Sequence, residues 1–125
     1  MSRLSITKQF KFEAAHVLPN HEGACNRLHG HSYLVEVSIE GYPKETGAEA
    51  GMVMDFGNLK QIVNREVIDK MDHQFLNEIP GLENPTAENM CVWIWDKLSK
   101  WVPGIANIRV WETATAYAEY KGERV

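Results

Sequence analysis

The chain has 125 residues and a formal net charge of −4, with 44% hydrophobic and 24% charged residues. These values suit one folded domain spanning 1–125 and exclude disordered and collagen-like chains. The longest strictly apolar run, 90–95, is far too short to span a bilayer, and the mildly acidic chain has no basic block for nucleic acid.

The opening Met1-Ser2-Arg3-Leu4-Ser5 lacks an apolar signal core, so the expectation is a cytoplasmic protein without membrane or nucleic-acid partners. In that compartment the two cysteines, Cys25 and Cys91, are expected as free thiols.

From 4 to 16, Leu4, Ile6, Phe10, Phe12, Ala14 and His16 share one parity and polar residues dominate the other, which predicts a half-buried strand. A loop of turn formers follows at 18–24. A second strand is predicted over 29–40, with Tyr33, Val35, Val37 and Ile39 as its apolar row. Residues 41–51 read as an exposed connection. Asp55 then caps a helix whose stripe is Leu59, Ile62, Val63, Val67 and Met71, and Asp72-His73 lies just past it.

Thr86 is the expected N-cap of a second helix, with Ala87, Met90, Cys91, Ile94, Leu98 and Trp101 buried and Pro103-Gly104 as its stop. Ile108, Val110 and Glu112 alternate in a third strand, and 117–121 makes a fourth. The predicted order is β-β-α-α-β-β: an α+β fold with a four-stranded antiparallel sheet and two helices on one face. The uncovered edges of such a sheet hint at oligomerisation.

The chemistry concentrates between positions 16 and 31. In His29-Gly30-His31, residues i and i+2 of a strand put both imidazoles on one side. His16 ends the first strand on the core parity and can meet them if the two strands are neighbours. Three neutral imidazoles fit Zn²⁺ and leave a fourth position open for water or a substrate oxygen. The bland reading is a set of hydrogen-bonded core histidines. His21, among turn residues, reads as a surface histidine.

Cys25 can be a fourth ligand, a reactive thiol near a cation, or a buried apolar residue; Cys91, on a helix stripe, reads as core. Asp72-His73 is either a carboxylate-held imidazole for proton transfer or a solvated helix end. Glu112 puts a carboxylate where apolar residues point, either to receive two parallel N–H donors of a ligand or to form an internal salt bridge.

These residues resemble the 6-pyruvoyltetrahydropterin synthase family, and within it the bacterial 6-carboxy-5,6,7,8-tetrahydropterin synthases. The resemblance spans nearly the whole chain. It rests on Phe12-Glu13-Ala14-Ala15-His16, on Cys25-Asn26-Arg27-Leu28-His29-Gly30-His31-Ser32-Tyr33, and on Gly51-Met52-Val53-Met54-Asp55-Phe56. Leu76-Asn77, Asn84-Pro85-Thr86-Ala87-Glu88-Asn89 and Trp111-Glu112-Thr113 extend it. The short gap from Cys25 to His29 is similar to that of the 6-carboxy enzymes, where the animal-type 6-pyruvoyl enzymes have a longer one.

The resemblance implies a tunnelling fold, assembled as a trimer of sheets or a hexamer with active sites between subunits. It implies zinc on His16, His29 and His31, and proton transfer by Cys25 with Asp72 and His73. Glu112 would anchor the pterin, with Thr86 and Glu88 in the pterin pocket. Arg27 is assigned to the triphosphate from its charge and location. The implied reaction turns 7,8-dihydroneopterin triphosphate into 6-carboxy-5,6,7,8-tetrahydropterin, acetaldehyde and triphosphate, on the route to queuosine. The competing readings are triphosphate elimination without side-chain cleavage, as in the 6-pyruvoyl enzymes, a non-catalytic zinc module closed by Cys25, and a zinc hydrolase.

Overall fold

The structure is a computed structural model that describes residues 1–123. Its elements are β1 (Leu4–His16), β2 (His29–Gly41), α1 (Phe56–Val63), α2 (Asp69–Met71), β3 (Gln74–Phe75), α3 (Ala87–Leu98), β4 (Ile105–Thr113) and β5 (Ala116–Tyr120). The sheet runs β3-β1-β2-β4-β5. The expected four antiparallel strands are all present. The sheet has five strands, however, and is mixed, because β3 adds to β1 in parallel through Ala14↔Gln74 and Ala15↔Phe75. Two residues are too few to display a period of two, so β3 carries no pattern in the sequence.

β1 and β2 pair along their whole length, from Leu4↔Gly41 to His16↔His29. One face of this ribbon carries Phe10, Phe12, Tyr33, Val35, Val37 and Ile39, all buried against the helices. The other face is polar and cross-linked: Thr7 and Ser38 hydroxyls lie 2.7 Å apart, and Gln9 Nε2 donates to Glu36 at 3.2 Å. Leu4, expected on the core parity, is 48% exposed, because the strand's first residues run beyond the helical cover.

Asp55 caps α1 by accepting the Asn58 N–H at 2.9 Å. The predicted single helix from 55 to 71 is interrupted by a π-helical turn, Asn64–Ile68, before α2. Its apolar residues explain the turn. Leu59, Val63, Val67 and Met71 are spaced by four and all fully buried. In a regular α-helix, four residues overshoot a full turn by about 40°, so three such steps drift about 120°. The extra residue of one π-turn takes back about 100° and keeps the row facing the sheet.

Thr86 caps α3 by accepting the Asn89 N–H at 3.1 Å. Met90, Cys91, Ile94 and Leu98 are buried as expected. Trp101 is not: it is 51% exposed, with the Arg65 guanidinium 4.9 Å from its ring centre. The helical phase ends at Leu98, so the three-residue step to 101 no longer returns to the core, and Val102 fills the place instead. Gly104 has φ +77°, and a Cβ there would stand 2.6 Å from the Glu40 carbonyl oxygen, so the stop after α3 requires glycine. Among the described residues no helix is long and apolar enough to cross a membrane.

A three-histidine candidate metal centre

The hairpin register brings the predicted ligands together. His16 stands directly opposite His29, and His31 faces Ala14, two residues from His16 on the same side of the sheet. The ligand nitrogens of His16, His29 and His31 lie within 4.8 Å of one another. The three rings stand nearly perpendicular to one another, at 71°, 86° and 86°.

The hydrogen bonds behind the rings set their protonation. His16 Nδ1–H donates to the Pro85 carbonyl at 2.9 Å, and His29 Nδ1–H donates to the Arg27 carbonyl at 2.6 Å. A carbonyl only accepts, so the proton of each neutral ring is on Nδ1 and both Nε2 atoms carry lone pairs. Those two Nε2 atoms face each other at 2.9 Å. Two lone pairs at that distance repel unless a cation or proton lies between them. His31 Nε2 is buried and has no hydrogen-bond partner among the described residues.

A metal ion would satisfy all three orphaned nitrogens at once, and the donor set suits a borderline-soft divalent cation. Burial pushes the His16 and His31 imidazoles below the usual histidine range, with the Glu112 carboxylate pulling the other way. Both rings are thereby biased toward the neutral, metal-ligating form.

Two further groups complete the wall. The fully buried Tyr33 places its hydroxyl 3.2 Å from His16 Nδ1 and stacks its ring on Phe12. Desolvation first, and Glu112 second, hold its phenol far above the ordinary range, so it stays protonated. Glu112 continues the row of Ile108 and Val110, as its parity predicts, and its carboxylate ends 3.6 Å from His31 Nε2. Glu112 and Glu88 share a cavity of about 230 Å³ with Ala87 and Tyr117. Thr86, next in the chain, uses its hydroxyl oxygen as the α3 cap.

Asp72 and His73 sit at the other side of β1. Asp72 Oδ1 accepts the Glu13 N–H at 3.0 Å and lies 3.0 Å from His73 Nδ1. The Glu13 N–H, followed by the His73 contact, holds the Asp72 carboxyl below its usual range. The His73 N–H donates to the Glu13 carbonyl at 2.6 Å, which pins the residue at φ +59°. That left-handed backbone costs a histidine on the order of 1–2 kcal/mol. His73 and His31 line one cleft of about 510 Å³, together with Ala14, Gly30 and Ser32. Gly30 opens onto that cleft: a Cβ there would meet only the Ala14 carbonyl, at 3.5 Å.

Cys25 lies half-buried in the 3₁₀ turn Ala24–Asn26, and both cysteines are free thiols. It is not a member of the candidate ligand cluster found among the described residues. His21 is exposed and accepts the Gly23 N–H, as befits a surface histidine. Arg27 is exposed on the same loop. Tyr33 was readable as the next same-face residue after His31. The carbonyls of Pro85 and Arg27 were not, because a backbone acceptor leaves no mark on side-chain pattern.

Residues 5–123 match the family described as 6-pyruvoyl tetrahydropterin synthase. The chain belongs to that family. It is 48% identical over 122 residues to the 6-carboxy-5,6,7,8-tetrahydropterin synthase of Synechocystis sp., covering 96% of this chain and 95% of that protein. It is 33% identical over 135 residues to the 6-pyruvoyl tetrahydrobiopterin synthase of Homo sapiens, covering 94% and 91%. The solved structure of the Caenorhabditis elegans 6-pyruvoyl tetrahydropterin synthase superposes with a TM-score of 0.88 at 26% identity, covering 98% of each chain. The tunnelling-type α+β architecture of the 6-pyruvoyl tetrahydropterin synthase family therefore extends over the whole described chain.

Proposed function

We propose that the protein is a zinc-dependent carbon–carbon lyase that converts 7,8-dihydroneopterin triphosphate to 6-carboxy-5,6,7,8-tetrahydropterin. Acetaldehyde and triphosphate leave, and one water is consumed to balance the atoms. The product would enter the route to 7-deazaguanine and queuosine in the cytoplasm. The observation that carries the reading is three imidazoles with unused nitrogens converging beside Glu112. The 48% identity to a protein named for this activity supports the choice of reaction.

Zinc held by His16, His29 and His31 would supply Lewis-acid polarisation of the substrate's side-chain oxygens. The protein's own groups do the rest. Cys25 would take and return protons at the side-chain carbons. Asp72 holds His73 Nδ1, leaving Nε2 of that ring free to relay protons. Glu112 would receive the 2-amino and ring N–H groups of the pterin, whose paired donors match its two oxygens. Thr86 and Glu88 would flank that pocket, and Arg27 would meet the triphosphate.

A homo-oligomer, trimer or hexamer, would complete the sites between subunits. Strands β3 and β5, which terminate the sheet, offer the edges for it. Incubation with dihydroneopterin triphosphate, read by acetaldehyde release, tests the reaction. Triphosphate release without acetaldehyde would instead establish the 6-pyruvoyl chemistry, which the likeness to the human and nematode proteins favours.

A further inference from the structure

We infer that Asn77 is a positioning residue that fixes both the backbone beyond His16 and the carbonyl that sets the tautomer of its ring. The inference rests on the zinc reading above, in which His16 is a ligand. His16 is the last residue of β1. On one flank β2 pairs as far as His16↔His29. On the other flank β3 stops at Ala15↔Phe75, and the chain turns into the 3₁₀ turn Leu76–Glu78. Among the described residues no strand backbone is left there to hold Val17.

The Asn77 side chain takes its place. Its Oδ1 accepts the Val17 N–H at 2.9 Å, and its Nδ2 donates to the Val17 carbonyl at 2.7 Å. One primary amide thus satisfies both polar groups of one residue, as a neighbouring strand would. Nδ2 also donates to the Glu83 carbonyl at 3.3 Å. Glu83 lies two residues before Pro85, whose carbonyl accepts the His16 Nδ1–H at 2.9 Å. The fully buried Leu76 anchors the turn from which Asn77 reaches out.

One side chain therefore ties the segment leaving the ligand to the segment that orients it. The Asn77 side chain bonds Val17 and Glu83 and not the ligand rings, so it acts through His16. Outer-shell partners of this kind fix the tautomer and ring direction of a ligating histidine.

Asn77→Asp keeps the size and the acceptor for Val17 but removes both N–H donors, and Asn77→Ala removes all three bonds. Nitrogen-15 spectra of the histidine rings in metal-free protein read the His16 tautomer. Cobalt(II) titration reads affinity and, through the visible bands, coordination geometry. Asp55→Ala, which removes the α1 cap, serves as a control that loses stability at a distance. Both Asn77 variants are expected to fold, to lose the single Nδ1–H form of His16, and to bind cobalt roughly tenfold or more weakly with altered bands. Unchanged ring spectra and cobalt bands in both variants would overturn the inference, as would equal changes in Asp55→Ala. If the wild type binds no cobalt, the zinc reading fails, and the ring spectra alone then decide whether Asn77 orients His16.

Discussion

Removing His29 separates the candidate metal centre from the core around it. The buried apolar cluster draws on the sheet and both main helices and is complete without the imidazoles. In metal-free protein the His29 Nε2 lone pair faces that of His16 at 2.9 Å, so truncating the half-buried His29 relieves a repulsion while it removes some packing. The metal-free His29→Ala variant is therefore expected to keep the fold and nearly the same melting temperature. Zinc changes the comparison. A ligand that binds only the native state at a hundred times its dissociation constant adds about 2.7 kcal/mol. A chain of 125 residues unfolds with an entropy of about 260 cal/mol/K, so the wild-type melting temperature should rise by about 10 °C. His29→Ala, left with two imidazoles, should show only a small fraction of that rise. Scanning calorimetry of both proteins, with and without zinc at that excess, makes the measurement. An equal rise in the variant would refute the ligand assignment. A wild type that is unfolded without metal would refute the independence of the core and favour a closed structural site.

Three other substitutions address the remaining roles. Cys25→Ala should retain stoichiometric zinc yet lose about 10²–10⁴ in turnover, the worth of a positioned acid–base group; metal analysis showing zinc lost would make Cys25 a ligand. Glu112→Gln replaces one carboxylate oxygen by a donor that opposes the ligand's own N–H. Pterin binding should weaken by roughly 1.5–3 kcal/mol, or about ten- to a hundred-and-fifty-fold in dissociation constant; equal constants on titration with a non-reactive pterin would leave Glu112 a structural residue paired with His31. For Asp72, the Glu13 N–H and His73 lower the carboxyl pKa from an ordinary 3.8, so its stabilisation is present above that value and lost as pH falls through the depressed one. Urea unfolding should show wild type more stable than Asp72→Ala at neutral pH, with the gap closing below about pH 3.8; a gap that stays constant into acid would show that the pairing contributes nothing.

The clustering of His16, His29 and His31 was legible because strand geometry is periodic. His16 on the parity of Phe12, and His29 and His31 on that of Tyr33, had to face the covered side once their strands formed. The hairpin register then needed only to place His16 opposite His29, as it does. Glu112 was legible by the same rule, as the carboxylate that continues Ile108 and Val110. Periodicity misleads where it is carried past the end of its element: the spacing of Trp101 points to the core although α3 stops at Leu98. It is silent on Gln74–Phe75, too short to have a period, and so the fifth strand leaves no signal in the sequence. The regular spacing of Leu59, Val63, Val67 and Met71 could have raised the question of a π-turn, since a four-residue repeat does not match 3.6 residues per turn. What no pattern of side chains reveals is which backbone carbonyl a ring will meet. Pro85 holds His16 only because the chain path from β3 to α3 brings it there, and that path depends on Asn77 gripping Val17 sixty residues earlier in the chain. Side-chain chemistry shows which residues could form a site; the long-range backbone contacts that orient those residues exist only in the folded chain.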